Sequence, residues 1–268
     1  MQADTFFAAV ELYTHALGLC DRTAHSSDRL RARVYAWRSL CHRRRRDLEA
    51  ARADVERALE LAEGLGDGRI IAPVYFEAAL VAARAGQWLL ARFYGEQARE
   101  LYEGFGDLPN VARLLTVLGR IDHRLGEDAT AAASLVRAFD LAVEVGCEHE
   151  AADAVSALGR VHLAAGDHAA AERSARRATE LLEVLPDCRE QLGDALLVLG
   201  RAYLGQGRLE EAEEAFALAE RTLAAPESAG DPAAAWIAQG DLARARGFAE
   251  DAAERYRTAA LALHDARA

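Results

Sequence analysis

Arginine is the residue type with the clearest chemical promise in this chain. All 32 basic residues among its 268 are arginine, with no lysine. A guanidinium presents a planar fork of donors that matches a carboxylate or a phosphate. Arg120, Arg160 and Arg201 recur at intervals of 40 and 41 residues, each directly after a Leu-Gly pair. Whatever element carries one of them therefore carries the others in the same place. A second concentration is the run His42-Arg43-Arg44-Arg45-Arg46. It makes a compact basic knob that could touch phosphate or an acidic partner domain, against the plainer reading of a solvated turn. No aromatic residue interleaves the run, so direct nucleic-acid binding is disfavoured.

Catalytic chemistry has no comparable footing. Cys41-His42 and Cys147-x-His149 have neither nucleophile-dyad nor metal-ligand spacing. Cys147 and Cys188 fall at the same point of neighbouring repeats, which points to packing. There is no phosphate loop, no GxSxG and no HExxH. The acidic run Glu210, Glu211, Glu213 and Glu214 reads as a solvated helix face. The expectation is a protein that is not an enzyme and takes no cofactor and no metal.

Charge and composition narrow the partners. The net charge is −11, which disfavours nonspecific binding to nucleic acid or anionic membrane over the whole surface. The distribution is uneven: residues 1–57 carry +3 and the remainder −14. No stretch approaches the roughly 18 apolar residues of a membrane helix, and the start lacks the basic opening of a signal peptide. Four sparse cysteines without a CxxC pair fit reduced thiols, so a cytoplasmic location is expected.

The elements that must position the arginines emerge from an internal repeat. Gly119, Gly126, Ala131 and Ala138 set a spacing of 7, 5 and 7 residues. The same spacing recurs in Gly159, Gly166, Ala171 and Ala178; in Gly200, Gly207, Ala212 and Ala219; and in Gly240, Gly247, Ala252 and Ala259. Ala79, Gly86, Ala91 and Ala98 keep it with one substitution, and Ser39, Arg46, Ala51 and Ala58 with two. A mid-helix glycine costs up to about 1 kcal/mol against alanine, so its recurrence answers a demand for close helix approach. The second glycine ends the helix through a left-handed turn, and the two alanines form one stripe of the following helix. Apolar positions follow i, i+3, i+4, i+7 and no segment alternates with period two. The chain is therefore expected to be all-α. First helices fall at about 28–44, 67–85, 108–125, 148–165, 188–206 and 232–246. Second helices fall at about 47–64, 88–105, 128–145, 168–184, 209–224 and 248–265. Residues 5–20, with Phe6, Phe7, Val10, Tyr13 and Leu17 on one side, form a helix without a first partner.

This spacing resembles the tetratricopeptide repeat, with the Leu-Gly pairs at 118–119, 158–159 and 199–200 matching that family's signature. The period of 40–41 departs from the family's 34, and such long repeats resemble the sensor and interaction arms of bacterial transcriptional regulators. The resemblance implies a right-handed α-solenoid. It would comprise an N-terminal half repeat or cap over 1–27 and six repeats over about 28–66, 67–106, 107–146, 147–187, 188–230 and 231–268. It also implies that first helices line a concave groove. Carried over by repeat position, the inward residues are Arg113, Thr116, Arg120, His123 and Arg124 in the third repeat. Asp153, Ser156 and Arg160 follow in the fourth, and Asp194, Leu197 and Arg201 in the fifth, with Phe76 the inward member of the aromatic second repeat. The implied role is capture of an acidic or C-terminal peptide segment by a regulatory or signalling arm. The family's asparagine-based chaperone clamp is not expected, because Asn110 is the only asparagine. The alternative is an oligomerisation scaffold with an unliganded groove, self-associating through residues 5–20 or 248–265.

Overall fold

A computed structural model describes residues 2–22, 28–225 and 232–265. The sequence places the boundary between the fifth and sixth repeats at residues 230–231, outside the described residues. Thirteen helices follow one another: α1 (Gln2–Arg22), α2 (Asp28–Arg44), α3 (Leu48–Leu65), α4 (Gly68–Arg84), α5 (Trp88–Phe105), α6 (Leu108–Arg124), α7 (Asp128–Glu144), α8 (Glu148–Ala164), α9 (His168–Glu183), α10 (Arg189–Gly205), α11 (Leu209–Leu223), α12 (Ala233–Ala245) and α13 (Ala249–Asp265). No strand occurs among the described residues. Each helix from α2 onward agrees with its expected span to within about two residues, and α1 runs a few residues longer than expected at both ends. The chain divides into two compact units, Met1–Glu127 with α1–α6 and Asp128–Ala268 with α7–α13.

Within each unit the repeat acts through alanine. Ala51, Ala58, Ala91 and Ala98 in the first unit and Ala131, Ala138, Ala171, Ala178, Ala212 and Ala219 in the second are all 0% exposed. Their complete burial goes with the close packing of α3 on α2, α5 on α4, α9 on α8 and α11 on α10. Larger apolar side chains fill the space between repeats. Ala58 and Ala62 of α3 pack with Ile70 and Val74 of α4. Leu196, Val198 and Leu199 of α10 pack with Phe216 and Leu223 of α11 and Leu242 of α12.

The mid-helix glycines differ in what they accommodate. A Cβ on Gly200 would stand 2.4 Å from the ring of Phe216, which is itself 0% exposed. On Gly159 it would meet nothing closer than 3.3 Å, at Val198. The turn glycines Gly86, Gly126, Gly166, Gly207 and Gly247 all have φ between 74° and 86°. Arg46 occupies the same turn in the first repeat at φ 63°, where a non-glycine residue is held at a cost of about 1–2 kcal/mol. Aspartate then opens the next helix: Asp47 accepts from the amide of Ala50 and Asp167 from that of Ala170.

Two stability predictions follow from these contacts. Gly200→Ala forces a buried ring to move and should lower stability by about 1–3 kcal/mol despite the gain in helix propensity, whereas Gly159→Ala should be within about 1 kcal/mol of neutral. Arg46→Gly should raise stability by about 0.5–1 kcal/mol, since it relieves the left-handed strain at an exposed turn while adding unfolded-state entropy. Thermal melts of the three variants measure both effects. Equal losses for the two alanine variants, or a lower midpoint for Arg46→Gly, would refute them.

Candidate functional site

In the first unit α2, α4 and α6 touch one another in succession, whereas α3 and α5 do not meet among the described residues. In the second unit α8, α10 and α12 stand in the same relation, with α9, α11 and α13 apart. The layer whose helices lie closer together is the inner one of a curved stack, so first helices form the inner face of each unit. The inner positions read differently in the two units. On α2, α4 and α6 they hold Arg33, Arg43, Arg44, Arg84, Arg113, Arg120, His123 and Arg124 and no carboxylate. On α8, α10 and α12 they hold Asp153, Asp194 and Asp241 beside Arg160, Arg201 and Arg244.

This difference sets the local electrostatics. Asp194 is open to water yet hemmed by protein, and desolvation raises its carboxyl above the ordinary aspartate range. Arg160 and Arg201 both pull it back down, while Glu190 pushes it further up. Arg244 pairs with Asp241 at 3.1 Å. The second unit's arginines are thus shared with its own carboxylates. In the first unit guanidinium groups settle on rings instead. Arg113 lies 5.2 Å from the centroid of Phe76, Arg124 5.4 Å from Trp88 and Arg33 4.8 Å from Trp37. A ring contact keeps the guanidinium charge, and Arg113 also donates from Nη1 to Oδ1 of Asn110 at 3.3 Å.

Several expected groove residues are not presented for contact. Thr116 is 2% exposed, and its hydroxyl donates to the carbonyl of Ala112 at 3.1 Å. Ser156 is 8% exposed and donates to the carbonyl of Ala152 at 2.7 Å. Leu197 is buried in the core between α10 and α11. Phe76 is buried too, roofed by Arg113. At these positions the short side chains turn back on their own helix and the apolar ones sink between helices. Arg113, Arg124 and Arg201 are exposed and Arg120, His123 and Arg160 half-buried. Arg120 belongs to the first unit, Arg160 and Arg201 to the second.

The basic knob also needs correction. Arg43 is buried and bonds Glu77 of α4 twice, Nε to Oε1 at 2.8 Å and Nη2 to Oε2 at 3.0 Å. It is a strut between two first helices and no surface contact. Burial raises the Glu77 carboxyl above the usual glutamate range, and Arg43 and Arg44 draw it back. Arg45 lies over Phe7 of α1 at 3.5 Å; only Arg44 and Arg46 are fully exposed. That interleaving by Phe7, 38 residues away in sequence, was invisible in the run itself. Two residues that sequence reasoning passed over also bear on the site. Arg84, exposed at the inner position between Arg44 and Arg124, follows from the 40-residue register. Trp88 is placed under Arg124 only by the fold.

The Cys188 thiol lies 3.5 Å from His149 Nδ1. Burial and Asp187 raise its pKa, the reverse of what a thiolate nucleophile needs. Among the described residues no group of three or more His, Cys, Asp and Glu side chains could hold a metal ion, and no helix is long and apolar enough to cross a membrane.

The tetratricopeptide repeat family matches residues 32–64 and 193–221. No curated protein matches the chain. Among solved structures the chain resembles BtubC from P. vanneervenii, at 19% identity and TM-score 0.70 over 82% of this chain and 91% of that one. It also resembles a STAND-type signal-transduction ATPase with a tetratricopeptide repeat sensor from Pyrococcus horikoshii, at 16% identity and TM-score 0.76. That match takes in 98% of this chain but only 43% of the ATPase. A Rap protein complexed with competence and sporulation factor matches at 13% identity and TM-score 0.66, over 98% of this chain and 76% of that protein. The 7-5-7 register and the paired helices it builds agree with these likenesses: the chain is an all-α repeat solenoid, similar to the tetratricopeptide repeat family over its two matched segments.

Proposed function

We propose that the chain is a protein-interaction module whose first unit receives an acidic, extended segment of a partner on its inner face. The observation that carries this reading is the absence of any carboxylate from the inner positions of α2, α4 and α6, beside the arginines held over Phe76 and Trp88. Arg113 and Arg124 are exposed there, with Arg120 and His123 half-buried. A carboxylate that approaches the exposed guanidinium groups of Arg113 and Arg124 gains charge-assisted hydrogen bonds. The second unit serves this purpose less well, because Arg160 and Arg201 already flank Asp194. The structural neighbours include a tetratricopeptide repeat sensor and a Rap protein complexed with a signalling factor. In keeping with them, we read the module as a regulatory or signalling arm working in the bacterial cytoplasm.

A second reading rests on a separate observation. α1 exposes Phe7, Leu12 and Leu19, and α13 exposes Leu261 and Leu263, with exposed Phe248 just ahead of its start. Either helix could join a second copy, which would make the chain an oligomerising scaffold.

Charge reversal separates the two readings. Arg113→Glu should weaken an acidic peptide more than tenfold, equivalent to about 1.4 kcal/mol, while Arg160→Glu, beside Asp194, should change affinity less than about threefold. Fluorescence anisotropy with a labelled polyglutamate peptide measures both. Unchanged affinity in Arg113→Glu would remove the first-unit site. A concentration-independent dimer in light scattering that becomes monomeric in Leu12→Glu/Leu19→Glu would favour the scaffold instead.

A further inference from the structure

The three inner helices of the first unit end alike. α2, α4 and α6 are each 17 residues long and stop on Arg44, Arg84 and Arg124. All three side chains are exposed. Arginine at a helix C-terminus has an ordinary explanation, since a cation there complements the helix dipole. That explanation does not account for this row, because α8, α10 and α12 place Ala164, Gly205 and Ala245 at the equivalent position without losing their helices. The surroundings are also poor in counter-charge. Arg84 makes no ion pair among the described residues, and Arg124 rests on the face of Trp88. The carboxylate drawn toward Arg44, that of Glu77, is already bonded by both its oxygens to Arg43.

We propose that Arg44, Arg84 and Arg124 form a ruler that selects an extended partner segment with acidic residues at every third position. The inference rests on the reading of the first unit as an acidic-segment site. The spacing comes from geometry. Neighbouring packed helices stand roughly 8–10 Å apart, and an extended chain advances about 3.3 Å per residue. Carboxylates at i, i+3 and i+6 therefore meet successive arginines. Adjacent acidic residues would crowd one arginine and leave its neighbours unmatched. A run along the row crosses α2, α4 and α6 in turn, all within the first unit.

The test uses the full chain and two labelled peptides of identical composition, one with glutamate at every third position and one with its glutamates adjacent. Anisotropy at moderate salt should give at least tenfold tighter binding for the spaced peptide. Arg84→Gln, which removes the central charge at an exposed position, should erase most of that preference while leaving the helical signal and melting midpoint unchanged. Equal affinity for the two peptides would overturn the ruler and leave the acidic-segment site standing. If neither peptide binds, both proposals fall. A single-stranded oligonucleotide of equal charge that binds as tightly as the spaced peptide would overturn the assignment to a protein segment.

Discussion

The contact on which both units depend is the one between alanine stripes and the first helices they meet. Ten of these alanines are wholly excluded from solvent. Each buries little area by itself, so the force holding the repeats together comes from the side chains around them, such as Leu135, Val155 and Phe216. The alanines set distance; the larger residues supply energy. Within each unit the first helices succeed one another in contact, α2 with α4 and α6 in the first and α8 with α10 and α12 in the second, so residues 40 apart in sequence fall at matching points of neighbouring helices. The arginine pattern would mean nothing without that correspondence.

The turns keep the same period by a different constraint. Most repeats place glycine where the backbone must turn left-handed, yet Arg46 and Asp187 hold that conformation without it. At Arg46 the cost is borne next to the strut from Arg43 to Glu77 and the roof that Arg45 makes over Phe7. Three arginines of one four-residue run thus serve three purposes: Arg43 joins two helices, Arg45 covers a ring and Arg46 makes a turn. Arg43 lies inside α2, which stops at Arg44, and Arg45 lies beyond its end, so the two side chains leave the backbone toward different neighbours. A run that reads as a single basic patch in one dimension is divided by the backbone into unlike environments.

This also explains what could and could not be read beforehand. Helix order, lengths and turns were legible because they rest on short-range rules with a fixed offset, repeated six times. The place of Arg113, Arg120 and Arg124 on a single first helix was legible for the same reason. The buried state of Thr116, Ser156 and Leu197 was not, because a position that faces inward still has to be reached by its side chain. A threonine or serine that bonds its own helix four residues back does not extend far enough. The pairings of Arg45 with Phe7 and of Arg43 with Glu77 join residues 38 and 34 apart. Neither has a sequence offset that announces it.

The deepest division lies in how the two units treat the same residue type. In the second unit Arg160 and Arg201 act electrostatically on Asp194, drawing its carboxyl down against the desolvation that raises it. In the first unit Arg43 is committed to Glu77, while Arg33, Arg113 and Arg124 lie against aromatic rings. A cation on a ring is held in place at about 0.5–1 kcal/mol when exposed, far less than the desolvation and pairing it would have to surrender from a close buried ion pair. It is oriented, charged and cheap to redirect toward an incoming anion. Preorganisation of this kind lowers the ordering cost that long side chains otherwise incur on binding. For this reason the first unit's arginines are the better candidates for recognition, although the three identical Leu-Gly-Arg motifs make Arg120, Arg160 and Arg201 look equivalent.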